Sequence, residues 1–149
     1  MRKMWFCVLF AFMVFLICPA EASVFEGSGN KNTENPPAVV PKDRFVAVDD
    51  FYKKWQEIQN GKSNAVLLDV RTPKEYESGR IPGSKNIPSD HPSLVLERWP
   101  DRDAEILVYC RTQRRATEVA SFLYRHGYLN VYVLEGGILG WMKKGYPSE

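Results

Sequence analysis

The sequence predicts an α/β fold, a largely parallel sheet with helices on both faces. Three apolar runs carry the sheet. Ala65–Val70 (AVLLDV), Glu105–Cys110 (EILVYC) and Asn130–Gly136 (NVYVLEG) each read as a strand buried on both sides. Segments of helical period, bracketed by start and stop residues, stand between them. Strands that alternate with helices pair in parallel through crossovers. In such sheets ligands bind beyond the carboxyl ends of the strands.

The elements follow in order. RFVAV, from Arg44, is a short strand, and Asp49 or Asp50 can cap the helix after it. Phe51, Trp55 and Ile58 recur at i, i+4 and i+7 and give that helix one apolar face, closed by Asn60-Gly61. After AVLLDV, Thr72 caps a short helix with Pro73 at its first position and Gly79 as its stop. RIPGSKNIP is a turn-rich connection, and PSLVLERW is a helix ahead of Pro100. After EILVYC, a helix from Arg115 to His126 puts Ala116, Val119, Ala120 and Leu123 on one face and stops at Gly127. After NVYVLEG comes a last short helix, Gly137 to Lys144, ended by Gly145 and Pro147.

A chain of 149 residues with 44% apolar content suits one domain with a real core. A net charge of only +2 implies no general affinity for nucleic acid. Arg2 and Lys3 precede an uncharged apolar run from Met4 to Cys18, and Ala20 and Ala22 then form an A-x-A pattern. Residues 1–22 thus read as a secretory signal cleaved after Ala22. The run is short of the roughly 20 residues of a spanning helix. The rivals are an uncleaved anchor and a lipid on Cys18, the latter opposed by bulky Ile17. Residues 23–41 read as a flexible linker, since EGSGNKNTENPPAVVP holds few apolar groups. Residues 42–149 form the folded domain. The expected location is outside the cytoplasm, in the periplasm if the source is bacterial, with no stable membrane insertion after cleavage.

Cleavage removes Cys7 and Cys18 and leaves Cys110 alone. A lone cysteine in an exported chain is a buried apolar filler or a reactive thiol. Cys110 ends a strand directly before a helix and is followed by Arg111, Arg114 and Arg115. The thiolate is the nucleophile, so such a site must favour negative charge. The helix N-terminus, a nest of loop N–H groups and the arginine forks can each do so. Any one of these arginines read alone is a solvated surface charge. Only His91 and His126 are present, neither near Cys110 in sequence, which argues against a Cys-His hydrolase and against a metal site. EGGILG lacks the spacing and lysine of a nucleotide cradle.

LLDVRTPKEYESGRIPGSKNIP, ILVYCRTQRRATEVASFLYRHGYLNVYVL and EGGILGWMKKGYP lie in one order along the chain. Through them residues 65–147 resemble the small single-domain rhodanese (sulfurtransferase) family. The resemblance implies a rhodanese-like sheet of about five parallel strands. It implies that Cys110 takes sulfane sulfur as a persulfide and passes it on, with no cofactor beyond that sulfur. Residues 110–115 correspond to the active-site loop: Cys110, Arg111, Thr112, Gln113, Arg114 and Arg115. Its N–H groups face the persulfide, and Arg111 and Arg115 stand where relatives often bind substrate. Asp69 and Arg71 match the family's strand end and brace the site, with Glu75 or Glu77 as partners for Arg71. The expected donor is thiosulfate or a similar small sulfur anion, and the acceptor a thiol, cyanide or protein.

Three positions depart from the family pattern. Gln113 replaces a usual glycine, so either the loop path differs or the amide contacts substrate. Ala116 replaces a hydroxyl residue, and Arg80 a common histidine. The rival readings are a phosphatase or arsenate reductase, and a non-catalytic redox sensor or partner-binding module. Cysteine phosphatases place Arg after five intervening residues. Here Ala116 holds that position and Arg115 comes one residue early. The shorter loop suits a terminal sulfur rather than a phosphoryl group.

Overall fold

The computed structural model describes residues 39–149. Residues 1–22, read from the sequence as a signal, and most of residues 23–41, read as a linker, lie outside the described residues. In chain order the elements are β1 (Phe45–Val46), α1 (Val48–Gln59), β2 (Val66–Asp69), α2 (Pro73–Glu77), β3 (Lys85–Asn86), α3 (Ser93–Arg98), β4 (Ile106–Tyr109), α4 (Arg114–Arg125), β5 (Val131–Leu134) and α5 (Gly137–Lys143). The five strands form one parallel sheet in the order β1-β5-β4-β2-β3.

Alternation along β4 divides the core in two. Ile106 and Val108 point into one layer with Val119, Ala120 and Leu123 of α4 and Val95 of α3. Leu107 and Tyr109 point into the other with Phe51 of α1 and Ile138 and Trp141 of α5. Successive strand side chains face opposite sides, so an unbroken apolar run is what a doubly covered strand requires. Fully buried side chains such as Leu123 contribute roughly 1.5–3 kcal/mol each. Being central, β4 delivers Cys110 to the middle of the sheet's carboxyl edge.

Local signals are mostly honoured. Thr72 and Glu75 form a reciprocal capping box at α2, with Pro73 just inside. Asn60 caps α1, and Gly61 follows at φ +67°. Four details differ from the sequence reading. The aspartates do not cap α1: Ala47 stands at that position, and Asp49 and Asp50 fall inside the first turn. There Asp49 accepts from Lys144 Nζ at 2.9 Å and from the Tyr146 hydroxyl at 2.6 Å. The connection RIPGSKNIP contains β3, which has no apolar residue to betray it. Asn86 holds it in place, its Nδ2 donating to the carbonyls of Asp69 and Arg71. Val40, read as linker, is buried against the α4 layer. Last, α4 starts at Arg114, one residue early.

Candidate active site

The end of β4 builds the site. Cys110 follows Tyr109 directly and is 1% exposed. It is the one free cysteine among the described residues. After three intervening residues α4 begins at Arg114, with its N-terminus at the loop. Within the described residues, the backbone N–H groups of Thr112, Gln113, Arg114 and Arg115 donate no hydrogen bond. Free N–H groups and a positive helix end favour an anion at the loop.

Gln113 is the sole non-glycine residue with positive φ among those described, at +151°. Such a conformation costs about 1–3 kcal/mol. The surroundings hold it there. The Gln113 carbonyl accepts from the Thr117 N–H at 3.0 Å and the Thr117 hydroxyl at 3.2 Å. Its side-chain Oε1 accepts from the Gly136 N–H at 3.3 Å. The backbone therefore adopts a conformation that glycine enters more freely, and the amide is bonded to the turn after β5.

That turn is part of the site, whereas from the sequence EGGILG was given no role at the cysteine loop. Ile138 N–H donates to the Cys110 carbonyl at 2.9 Å, and Leu139 N–H to the Arg111 carbonyl at 3.2 Å. A Cβ on Gly137 would lie 2.6 Å from each of those carbonyl oxygens, and its φ is +58°. Only glycine allows this approach. The Gly-Gly pair directly after a strand was the available signal.

The arginines separate. Arg111 is exposed and has no carboxylate partner among the described residues. Arg114 pairs with Glu118 one turn on, at 2.7 Å, on the open surface. Arg115 forks onto Glu75 with two contacts of 2.7 Å, tying the start of α4 to α2. Hydrogen bonds from Arg115 and Thr72 bring the Glu75 carboxyl down from an ordinary 4.5 to about 2. A carboxylate with a lowered folded pKa stabilises above its unfolded pKa and loses that contribution as pH falls. We expect Glu75→Gln to be less stable than wild type at neutral pH by on the order of 1 kcal/mol, discounted for partial exposure. The gap should close between about pH 4.5 and pH 2. Urea denaturation across that range measures it, and a pH-independent gap would contradict the assignment.

Arg71 does not reach Glu75 or Glu77, as the sequence suggested. Its partner is Asp69, two residues before. The chain bends after β2, so the guanidinium folds back to meet the Asp69 carboxylate through Nε and Nη2, the latter at 2.6 Å. Glu75 is already occupied by Arg115 and its own capping box. Asp69 is fully buried and Arg71 is 5% exposed. Arg71 Nη2 also donates to the Gly79 carbonyl at 2.7 Å. Nearby, the Tyr109 hydroxyl donates to Ser84 Oγ and accepts from the Ile81 N–H. Burial, then the Asp69 charge, raises the Tyr109 pKa. Residues 79–84 are thus braced to the strand that carries Cys110.

Two hollows adjoin the loop. One, of about 380 Å³, is walled by Glu75, Arg111, Thr112, Arg114 and Arg115. The other, of about 340 Å³, runs between α2 and α5 past Lys74, Ser78, Arg111, Leu139 and Met142.

Known proteins are similar to this chain. The model of the rhodanese-like domain matches residues 50–144. A sulfurtransferase of Allochromatium vinosum is 32% identical over 84 residues, 56% of this chain and 78% of that protein. A thiosulfate sulfurtransferase of Actinobacillus succinogenes is 33% identical over 97 residues, 65% of this chain and 85% of that one. The crystal structure of a rhodanese-related protein from Thermoplasma volcanium superimposes with a TM-score of 0.57 at 33% identity, covering 71% of this chain and 97% of the other. A parallel sheet that ends its central strand in a cysteine loop, matched over most of the described residues, makes this chain a member of the rhodanese-like domain family.

Proposed function

We propose that the protein is a sulfurtransferase that carries sulfane sulfur as a persulfide on Cys110. The observation behind this reading is the cysteine itself: buried at the end of β4, beneath a loop of unbonded N–H groups. In the first half-reaction the thiolate attacks the outer sulfur of thiosulfate or a similar anion. The S–S bond breaks and sulfite leaves with its electron pair. In the second, a thiophilic acceptor such as cyanide or a thiol takes the outer sulfur and the Cys110 thiolate returns. This is covalent catalysis with ping-pong kinetics. The sulfur rides on the protein, and no other cofactor enters either step.

Arg111, with no carboxylate partner among the described residues, supplies the charge that draws the donor. Arg115 acts through its fork onto Glu75, which ties the start of α4 to α2. A thiol at 1% exposure admits one terminal atom more readily than a phosphoryl group with its oxygens. The relatives named as sulfurtransferases support the same choice.

Intact mass spectrometry tests the reading. Thiosulfate should add one sulfur atom to the protein and cyanide should remove it, while aryl phosphates should not be hydrolysed. Absence of an adduct with every sulfane donor would turn the assignment to a non-catalytic sensor or partner-binding module. Cys110-dependent phosphatase turnover that rivals sulfurtransfer would turn it to phosphate chemistry.

The proposal includes export, which rests on the charged start, the apolar run and the Ala20-x-Ala22 pattern. The mature chain should begin at Ser23 when its N-terminus is sequenced. A chain that begins at Met1, or a lipid on Cys18, would refute cleavage after Ala22.

A further inference from the structure

Hydrogen bonds at three points hold the cysteine loop to the turn between β5 and α5. Two join backbones at the start of the loop, from the Ile138 N–H to the Cys110 carbonyl and from the Leu139 N–H to the Arg111 carbonyl. The third grips the loop farther along and uses a side chain: the Gly136 N–H donates to Gln113 Oε1 at 3.3 Å. On its other side Gln113 is fastened to α4, since its carbonyl accepts from the N–H and the hydroxyl of Thr117. Between these two attachments its backbone stands at φ +151°, the sole positive φ outside glycine among the described residues. A side chain in that region is disfavoured and persists where its surroundings over-determine it. Glycine would follow the same path more freely. It would have no amide to send to Gly136. The strained residue therefore supplies a bond that the unstrained one lacks. That bond bears on the stretch Thr112–Gln113, which carries two of the loop N–H groups that donate no hydrogen bond within the described residues.

From this pairing of strain and bond, and resting on the sulfurtransfer reading, we infer that Gln113 is a positioning residue whose amide clamps the loop in the shape that holds the Cys110 persulfide. The step it serves is the first half-reaction. The Cys110 thiolate bonds to the outer sulfur of thiosulfate, the S–S bond of thiosulfate breaks, and sulfite leaves with that electron pair. The thiolate's single charge and thiosulfate's two enter; sulfite's two and the persulfide's one leave. The persulfide charge rests on a sulfur about 2 Å beyond the cysteine sulfur, one S–S bond farther from the strand. Donors fixed in advance stabilise charge that moves to meet them, because they need no reorganisation. A clamped loop therefore favours the persulfide over the free thiolate, and a loosened loop gives up part of that preference while Cys110 and Arg111 stay unchanged.

The test brings wild type, Gln113→Met and Gln113→Gly to equilibrium with set mixtures of thiosulfate and sulfite. Intact mass then gives the ratio of persulfide to free thiol. Methionine keeps the length of the side chain and the strain at φ, but its thioether is a weak acceptor for the Gly136 N–H. Glycine removes the bond and the strain together. In both variants the ratio should fall about two- to tenfold, the worth of one hydrogen bond. The two differ in strain, so their melting temperatures should differ while the ratio moves the same way in each. A side chain that served stability alone would shift the melting temperature and leave the ratio where it is. If Gln113→Met fails to fold, Gln113→Gly decides by itself. A ratio equal to or above that of wild type in either folded variant overturns the inference and leaves the sulfurtransferase reading standing. No persulfide on wild type with any donor removes both.

Discussion

Cys110→Ser should lose sulfurtransfer by at least about three orders of magnitude, since removal of a covalent nucleophile leaves only the binding contribution of the site. The persulfide adduct should vanish from the mass spectrum in the same variant. The hydroxyl is nearly isosteric with the thiol but does not ionise near neutral pH, and serine carries no sulfur. The change therefore isolates chemistry from packing, and stability should move little. Thiosulfate turnover by Cys110→Ser within tenfold of wild type would end the assignment. Loss of turnover accompanied by unfolding would instead mark Cys110 as a core residue, which its place in the α4 layer makes a real alternative. Thermal denaturation of the variant separates the two.

Asp69→Ala should be the most destabilising single change near the site, by about 3–5 kcal/mol. The carboxylate is fully buried and accepts from the Arg71 Nε, Nη2 and backbone N–H. Its removal leaves a guanidinium 5% exposed without its counter-charge. The contact from Arg71 Nη2 to the Gly79 carbonyl does not replace a carboxylate. Replacing both members, as in Asp69→Ala with Arg71→Met, should recover part of the loss, because a buried pair is worth far less than the penalty of breaking it. Denaturant melts of the single and double variants read the difference. A single-variant cost under about 1 kcal/mol would mean that solvent reaches Arg71 despite its burial.

The two variants probe different levels of the sequence. Cys110 stood out because of local order: an apolar strand, one cysteine, three arginines, then a helical period. Strand–helix alternation and the caps at Thr72 and Asn60 were legible for the same reason, since each depends on residues within one or two turns of one another. The early start of α4 and the short strand β3 were not. A two-residue strand of Lys85 and Asn86 has no periodicity, and what holds it is the Asn86 amide on the carbonyls of Asp69 and Arg71.

Partner choice among charges also escaped the sequence. From spacing, Glu75 or Glu77 suited Arg71. In the fold, Arg71 turns back to Asp69 and Glu75 receives Arg115, 40 residues away. The three arginines looked alike in the chain, and folding paired Arg114 and Arg115 and left Arg111 without a carboxylate among the described residues. Gln113 was visible as a departure from glycine, but its consequence was not, because its amide meets Gly136 in the turn between β5 and α5.

What the sequence by itself determined was the α/β alternation, the cysteine at the sheet's carboxyl edge and the resemblance that placed the chain in its family. Those depend on periodicity and on the order of residues along one strand, turn and helix. Only the tertiary structure decided which cation stands without a carboxylate, that the Gly136-Gly137 turn presses against the Cys110 carbonyl, and that the Gln113 amide meets Gly136. Each of these joins groups distant in the chain, and their contact depends on how the crossovers stack α2, α4 and α5 around the end of β4.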